Sequence, residues 1–309
     1  MKVCILLAAY NGAAYIRQQI DSILQQDYPN IQLVLSDDGS QDGTQEILAE
    51  YEAEYPGRVI WYQSGKRFGK AQTHFMHLLR TFHDADYIMF SDQDDVWHPD
   101  KVSKTLKKMR EIEIDPSVPV LVHTDLRVDD QNLNVIAPSF CEYSNINGNR
   151  LKLNQLLVQN VVTGCTVMVN HELAKFACAE IAEDKILMHD WWIALLAAAC
   201  GSIGFLNEAT IDYRQHGNNS VGAKNVRSLS YIWKRLKYRT IHQTLCCAAT
   251  QAEAILNSYS DFLDEDMKQV ISTFSQIQNV GWLRRKWIYL KHGFMKNGFL
   301  RVVMQFLGG

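Results

Sequence analysis

The sequence has no cysteine spacing of the kind that holds a metal. Its seven cysteines are scattered, apart from the adjacent Cys246 and Cys247, and read as buried thiols of a reducing compartment. No apolar run is long enough to span a bilayer; the longest, Ile193 to Leu206, is interrupted by two glycines. One lysine followed by a short strand-like run does not make a signal peptide. No G-x-G-x-x-G follows the first strand and no Walker A lysine motif occurs. Dinucleotide-binding and P-loop readings are weak for that reason. A net charge of −3 over 309 residues sets up no whole-protein field directed at nucleic acid. Acid is unevenly absent, however. None occurs from Ala223 to Ala252 or from Gly281 to Gly309, while both stretches carry many lysines and arginines. What remains is a globular chain, expected in the cytoplasm, with any membrane contact peripheral at the inner face.

Apolar periodicity is plentiful. Strand patterns at Val3–Ala9, Ile31–Leu35, Val59–Tyr62 and Tyr87–Ser91 alternate with helical ones, the pattern of an α/β fold with a mostly parallel central sheet. After a helix to about Glu113, strands are expected at Val118–Thr124, Ile203–Leu206 and Thr210–Tyr213, and a turn plus a strand within Val161–Val169. Residues 131–154 read as an extended polar loop. Beyond Ser220 only helices are expected, at Ser228–Asn257, Glu265–Asn279 and Trp282–Leu307. The boundary is placed near Gly222, between an α/β domain (1–222) and a basic helical region (223–309).

The organising stretch is Tyr87-Ile-Met-Phe-Ser-Asp-Gln-Asp-Asp-Val-Trp-His-Pro99. A buried strand ends in Asp92, Asp94 and Asp95, where open α/β sheets bind ligands. Three anions within four residues call for a cation, and oxygen ligands favour Mg²⁺ or Mn²⁺. An acidic turn capping the next helix is the plainer alternative. Asp37 and Asp38 follow the second strand and fall on the same edge; alone they are a D-G turn. Asp190 opens a very apolar helix and by itself reads as a cap. His216 by itself reads as a loop histidine, and at least one of Trp191 and Trp192 as core.

Taken together, these stretches resemble glycosyltransferase family 2, the inverting enzymes of GT-A fold. The resemblance spans about Lys2 to Ser220. It rests on Ala8-Ala9-Tyr10-Asn11-Gly12, Ser36-Asp37-Asp38-Gly39-Ser40, Ser91-Asp92-Gln93-Asp94-Asp95, His189-Asp190-Trp191-Trp192 and Tyr213-Arg214-Gln215-His216, in that order. It implies that Ala8, Tyr10 and Asp38 hold the base and ribose of a nucleotide-sugar. Asp92 would help hold ribose and metal, Asp94 would bind the metal, and His216 would approach it from the far side. Asp190 would be the catalytic base. Lys66, Arg67 or Lys70 could add positive charge near the phosphates. Trp97, Thr163, Gly164, His189 and Trp191 are the candidates for the acceptor pocket. The chain departs from the family pattern at His189, where many relatives have Glu, and at Ala8, where Ser or Thr is common.

Within the family, these motifs, with His123-Thr-Asp-Leu126 and Asn160-Val-Val-Thr-Gly-Cys165, resemble rhamnosyltransferases of bacterial cell-wall polysaccharide. That implies dTDP-β-L-rhamnose as donor and a lipid-linked glycan acceptor, with UDP-sugars as alternative donors. A metal-dependent nucleotidyltransferase is a rival, but it expects a glycine-rich basic loop where Tyr10-Asn-Gly12 stands. A non-catalytic membrane-binding homologue is a second rival, which the intact acids disfavour. The acid-free stretch Trp282–Leu307 carries two tryptophans and six basic residues. It reads either as a packed helix or as an interfacial one on anionic lipid, and Gly293 and Gly298 allow two segments.

Overall fold

The computed structural model describes residues 1–179, 181–216 and 238–308. Strand–helix alternation runs through β1 (Val3–Ala9), α1 (Ile16–Leu24), β2 (Ile31–Asp37), α2 (Thr44–Glu54), β3 (Val59–Tyr62), α3 (Ala71–Thr81) and β4 (Tyr87–Ser91). β1 pairs in parallel with β2 and β4, and β2 with β3. Parallel pairs need crossovers, and the helices supply them. The carboxyl ends of β1, β2 and β4 therefore share one edge: Ala9 lies opposite Asp37, and Leu7 opposite Ser91.

The second half is mixed. It contains β5 (Val96–Trp97), α4 (Lys101–Ile112), β6 (Val120–Asp129), β7 (Val135–Ala137), α5 (Phe140–Tyr143), α6 (Leu153–Leu156), β8 (Met168–Asn170), α7 (His171–Ala177), α8 (His189–Cys200) and β9 (Ser202–Arg214). Sheet order is β3-β2-β1-β4-β8-β6-β9-β5, with β7 paired to β6. β8 runs antiparallel between β4 and β6, and β9 runs parallel to β6. The loop expected at 131–154 carries β7 and α5. The two short strands expected at 203–206 and 210–213 are one strand. Register with β6 jumps from Thr124↔Leu206 to Asp125↔Ala209, so polar Asn207-Glu208 is absorbed as a bulge without ending the strand.

Two cores follow from the period-two alternation of β1. Val3, Ile5 and Leu7 face a cluster with Ile16, Ile20, Leu48, Val102 and Leu106 from α1, α2 and α4. Cys4 and Leu6 face the other cluster, with Phe75, Leu79, Leu173, Trp192 and Leu196 from α3, α7 and α8. α8 is apolar nearly all round, as a helix covered on two sides must be. Its outer cover comes from α9 (Tyr238–Tyr259), α10 (Glu265–Ser275), α11 (Trp282–His292) and α12 (Phe299–Gly308). Leu245, Ala252, Phe274, Tyr289 and Phe294 of this region belong to the same core as the α8 residues. α11 and α12 are separate helices, divided at Gly293 and Gly298, both at positive φ. The boundary near Gly222 and the start of the helix expected from Ser228 lie outside the described residues.

Candidate active site

The site is built where the three parallel strands end. The loop after β1 is locked to the acidic loop after β4 by Gln93. Its side chain accepts from the Tyr10 N–H at 2.7 Å and donates to the Tyr10 carbonyl at 2.9 Å. A Cβ at Gly12 would sit 2.3 Å from the Gln93 Oε1, so a larger residue there would displace this clamp. The Asn11 N–H donates to Ser40 Oγ at 2.7 Å, joining the loop after β2. Asp38, buried, accepts from the main-chain N–H groups of Phe68 and Gly69. It thereby fixes the loop that carries Arg67 and Lys70. Arg67 donates to the Tyr10 hydroxyl at 3.1 Å and covers its ring.

The acidic loop is tied to the end of β9. Arg214 donates from Nε to the Asp94 carbonyl (2.8 Å) and from Nη2 to Gln18 Oε1 (2.7 Å). Its guanidinium lies 4.7 Å from the centre of the Tyr15 ring, and that ring stacks on His216 at 5.1 Å. His216 Nε2 is 2.6 Å from Asp94 Oδ2, so residues 122 apart in sequence meet. Asp92 is pushed up to about 7, by burial first and then by the charges of Asp94 and Asp190. Asp95 is fully buried behind them. Its Oδ1 accepts from the Arg214 N–H, and among the described residues its Oδ2 has no partner.

These groups fit a hard divalent cation. Two carboxylates and an imidazole, Asp92, Asp94 and His216, offer oxygen and nitrogen donors, and the raised Asp92 marks an anionic cluster short of positive charge. Asp92, Asp95 and Cys165 also lie close together. There, burial and the charges of Asp95 and Asp92 push the Cys165 thiol well up, so it stays protonated and is a poor ligand for such an ion.

A cavity of about 1300 Å³ opens on this edge. Asp190, on the first turn of α8, lines it. Burial pushes its carboxyl up to about 7 against the opposing effect of N–H bonds from Trp191 and Gly164. The Trp191 N–H is 2.6 Å from its Oδ1. Every residue to which the family resemblance gave a role lines the same cavity except Trp97 and Lys66. Trp97 is 2% exposed and belongs to the core under α1 and α4, with the Lys101 ammonium 4.7 Å from its ring centre. Pairing of β5 with β9 turns it there, so it is not a pocket residue. Trp192 is core, whereas Trp191 borders the cavity and donates to the Leu156 carbonyl at 2.7 Å. Lys66 does not reach the lining, while Arg67 and Lys70 do.

His189 is packed against Phe75 and Phe90 at 4.4 and 5.3 Å, and burial lowers it to about 3, so it is neutral. Gly164 makes room for it: a Cβ would lie 2.7 Å from His189 Nε2. Several lining residues were not read from the sequence. Tyr15, His74 and Phe75 looked like ordinary helical positions. Lys296 and Arg301 looked like solvated charges of a basic tail, although both are buried and line the cavity.

The architecture has solved counterparts among nucleotide-sugar transferases of GT-A fold. Staphylococcus aureus TarS 1–349 in complex with UDP-GlcNAc superposes with a TM-score of 0.59 at 16% identity, covering 94% of this chain and 79% of that one. The Pyrobaculum calidifontis mannosyltransferase PcManGT, solved with GDP-Man and Mn²⁺, gives 0.52 at 17% identity, covering 94% and 73%. In sequence, residues 4–175 match the model of glycosyl transferase family 2, and the chain belongs to that family. It is 30% identical over 238 residues to the dTDP-rhamnosyl transferase RfbG of Shigella flexneri, covering 74% of this chain and 78% of that protein. It is 27% identical over 252 residues to the putative teichuronic acid biosynthesis glycosyltransferase TuaG of Bacillus subtilis, covering 80% and 91%.

Gly164→Ala tests the packing beside Asp190. The added methyl should displace His189 and lower turnover at least tenfold, with the melting temperature within a few degrees of the parent. Initial rates and thermal unfolding on the same preparation check it.

Proposed function

We propose that the chain is an inverting transferase in which Asp190 takes the proton of an acceptor hydroxyl. The observation that carries this is a half-buried carboxyl, raised to about 7, in the same cavity as the Asp94–His216 pair. A general base works best with a pKa near the operating pH. As the acceptor oxygen attacks the anomeric carbon, its proton passes to the Asp190 carboxylate. The bond to the diphosphate breaks on the opposite face, and the anomeric configuration inverts. No covalent intermediate on the protein is required. Asp92, Asp94 and His216 would hold Mn²⁺ or Mg²⁺, which supplies Lewis-acid stabilisation of diphosphate charge. Arg67 and Lys70 add fixed positive charge there. Ala8, Tyr10 and Asp38 frame the nucleotide, and Thr163, Gly164, His189 and Trp191 the sugar and acceptor.

The donor is dTDP-β-L-rhamnose and the acceptor a lipid-linked surface polysaccharide. Similarity to RfbG supports the first, and similarity to TuaG, named for a wall polymer, supports a polysaccharide product. The acceptor's lipid matches an exposed apolar face on α11: Trp282, Leu283, Trp287 and Leu290, beside Arg284 and Lys291. Aromatic and basic residues arranged so suit an anionic bilayer surface. Among the described residues no helix is long and apolar enough to cross a membrane.

Asp190→Asn should lower kcat about a hundredfold to ten-thousandfold while donor affinity stays near that of the parent. The base acts only when deprotonated. For a carboxyl at about 7, the parent's rate should climb as pH rises through 7 and level off above it. Near-parental turnover by Asp190→Asn would remove Asp190 from the mechanism.

With Mn²⁺, dTDP-rhamnose should outcompete UDP-glucose, UDP-galactose and UDP-N-acetylglucosamine, releasing dTDP and no pyrophosphate. EDTA should abolish transfer. A preference for a UDP-sugar would overturn the donor assignment, and pyrophosphate release the reaction class.

In flotation assays the full chain should rise with anionic vesicles, not neutral ones, and be released as salt increases. Failure to float at low salt would make the α11 face purely structural.

A further inference from the structure

The cavity carries acids on one side only. Its lining acids, Asp38, Asp92, Asp94 and Asp190, all come from the sheet edge or the start of α8. The C-terminal region contributes two cations, Lys296 and Arg301, which are 7% and 8% exposed. Lysine and arginine are seldom buried unless they are paired or hydrogen-bonded.

Arg301 is held by main-chain carbonyls alone: Nη1 donates to Asn145 (2.7 Å) and Asn297 (3.1 Å), and Nη2 to Ser144 (2.5 Å). Among the described residues no carboxylate pairs with it. Carbonyl dipoles orient a guanidinium without cancelling its charge, and arginine does not escape by losing its proton. Ser144, whose carbonyl takes one of these bonds, also lines the cavity. Its hydroxyl is buried and, among the described residues, has no partner. Two buried cations and an unpartnered hydroxyl on one cavity are donors suited to a phosphate.

The chain connects this wall to the acceptor side. The Asn297 N–H donates to Gln159 Oε1 at 2.9 Å. Gln159 leads through Asn160 to Gly164, where a Cβ would lie 3.7 Å from that of Asp190. The donor end already has a phosphate device of its own in Asp92, Asp94, His216, Arg67 and Lys70. We infer that Lys296, Arg301 and Ser144 form a second anion subsite, which binds a phosphate group carried by the acceptor. Only the word acceptor rests on the transferase reading; the binding of a phosphate does not.

The test uses the full chain and calorimetric titration with four probes: octyl phosphate, octyl glucoside, inorganic phosphate, and dTDP with Mn²⁺. Octyl phosphate should bind and octyl glucoside should not. Arg301→Gln and Lys296→Gln should each weaken octyl phosphate about tenfold or more, as loss of a charged hydrogen bond implies. Affinity for dTDP with Mn²⁺ should stay within about twofold. Lys296→Gln leaves the Arg301 bonds to Ser144 and Asn145 intact, so it reports on the subsite even where Arg301→Gln unfolds. Unchanged octyl phosphate binding in folded variants would overturn the subsite. Equal loss for dTDP would reassign the cations to the donor diphosphate. Inorganic phosphate binding as tightly as octyl phosphate would overturn the acceptor assignment. Failure of dTDP to bind the parent chain counts against the transferase reading, separately from the subsite.

Discussion

Three carboxylates within four residues at the end of β4 are the constraint on which the structure depends. Anions packed so closely in a partly buried loop repel one another and lose hydration. The fold meets this from the other end of the chain. β9 runs the full depth of the sheet to deliver Arg214 and His216 beside the acids, and Arg214 makes bonds to both Asp94 and Asp95. Gln93, between two of the acids, is spent on clamping the loop after β1. The acids are thus held in place by neutral and cationic groups while the cluster remains short of charge, the state in which a divalent ion or a diphosphate complex binds with gain.

The position of α8 has a similar logic. An apolar helix carrying the proposed base at its start needs cover on its outer side, and α9 to α12 provide it. The same packing brings the α12 region to the cavity, where Lys296 and Arg301 line it. Cover for α8 and the cationic wall are therefore two consequences of one docking arrangement.

The first half of the fold was legible because parallel strands buried on both faces are short apolar runs with turns between them. The acids were legible because a carboxylate cluster at a strand end has few uses. β9 was not, because Asn207-Glu208 looks like a turn, and only pairing with β6 shows that it is a bulge. Trp97 misled because Asp92, Gln93 and Asp94, close to it in sequence, line the cavity, while alternation and the β5–β9 pairing turn its ring into the core. Lys296 and Arg301 were hidden for a different reason. A basic residue gives no sign in the sequence of whether water or a cavity surrounds it. His74 and Phe75 were masked by a helix pattern that fits a core face equally well.

The histidine before Asp190 alters the electrostatics around the proposed base. Many family members carry Glu there, a second anion directly before the carboxylate. His189 is neutral, because burial beside Phe75 and Phe90 holds its proton affinity down to about 3. The rise of Asp190 to about 7 therefore comes from burial and not from an adjacent charge. Burial raises a carboxyl and also excludes water from the attacking face, whereas a charged neighbour would draw water in. Burial is the first cause for Asp92 as for Asp190, and the neighbouring charges of Asp94 and Asp190 add to it only at Asp92.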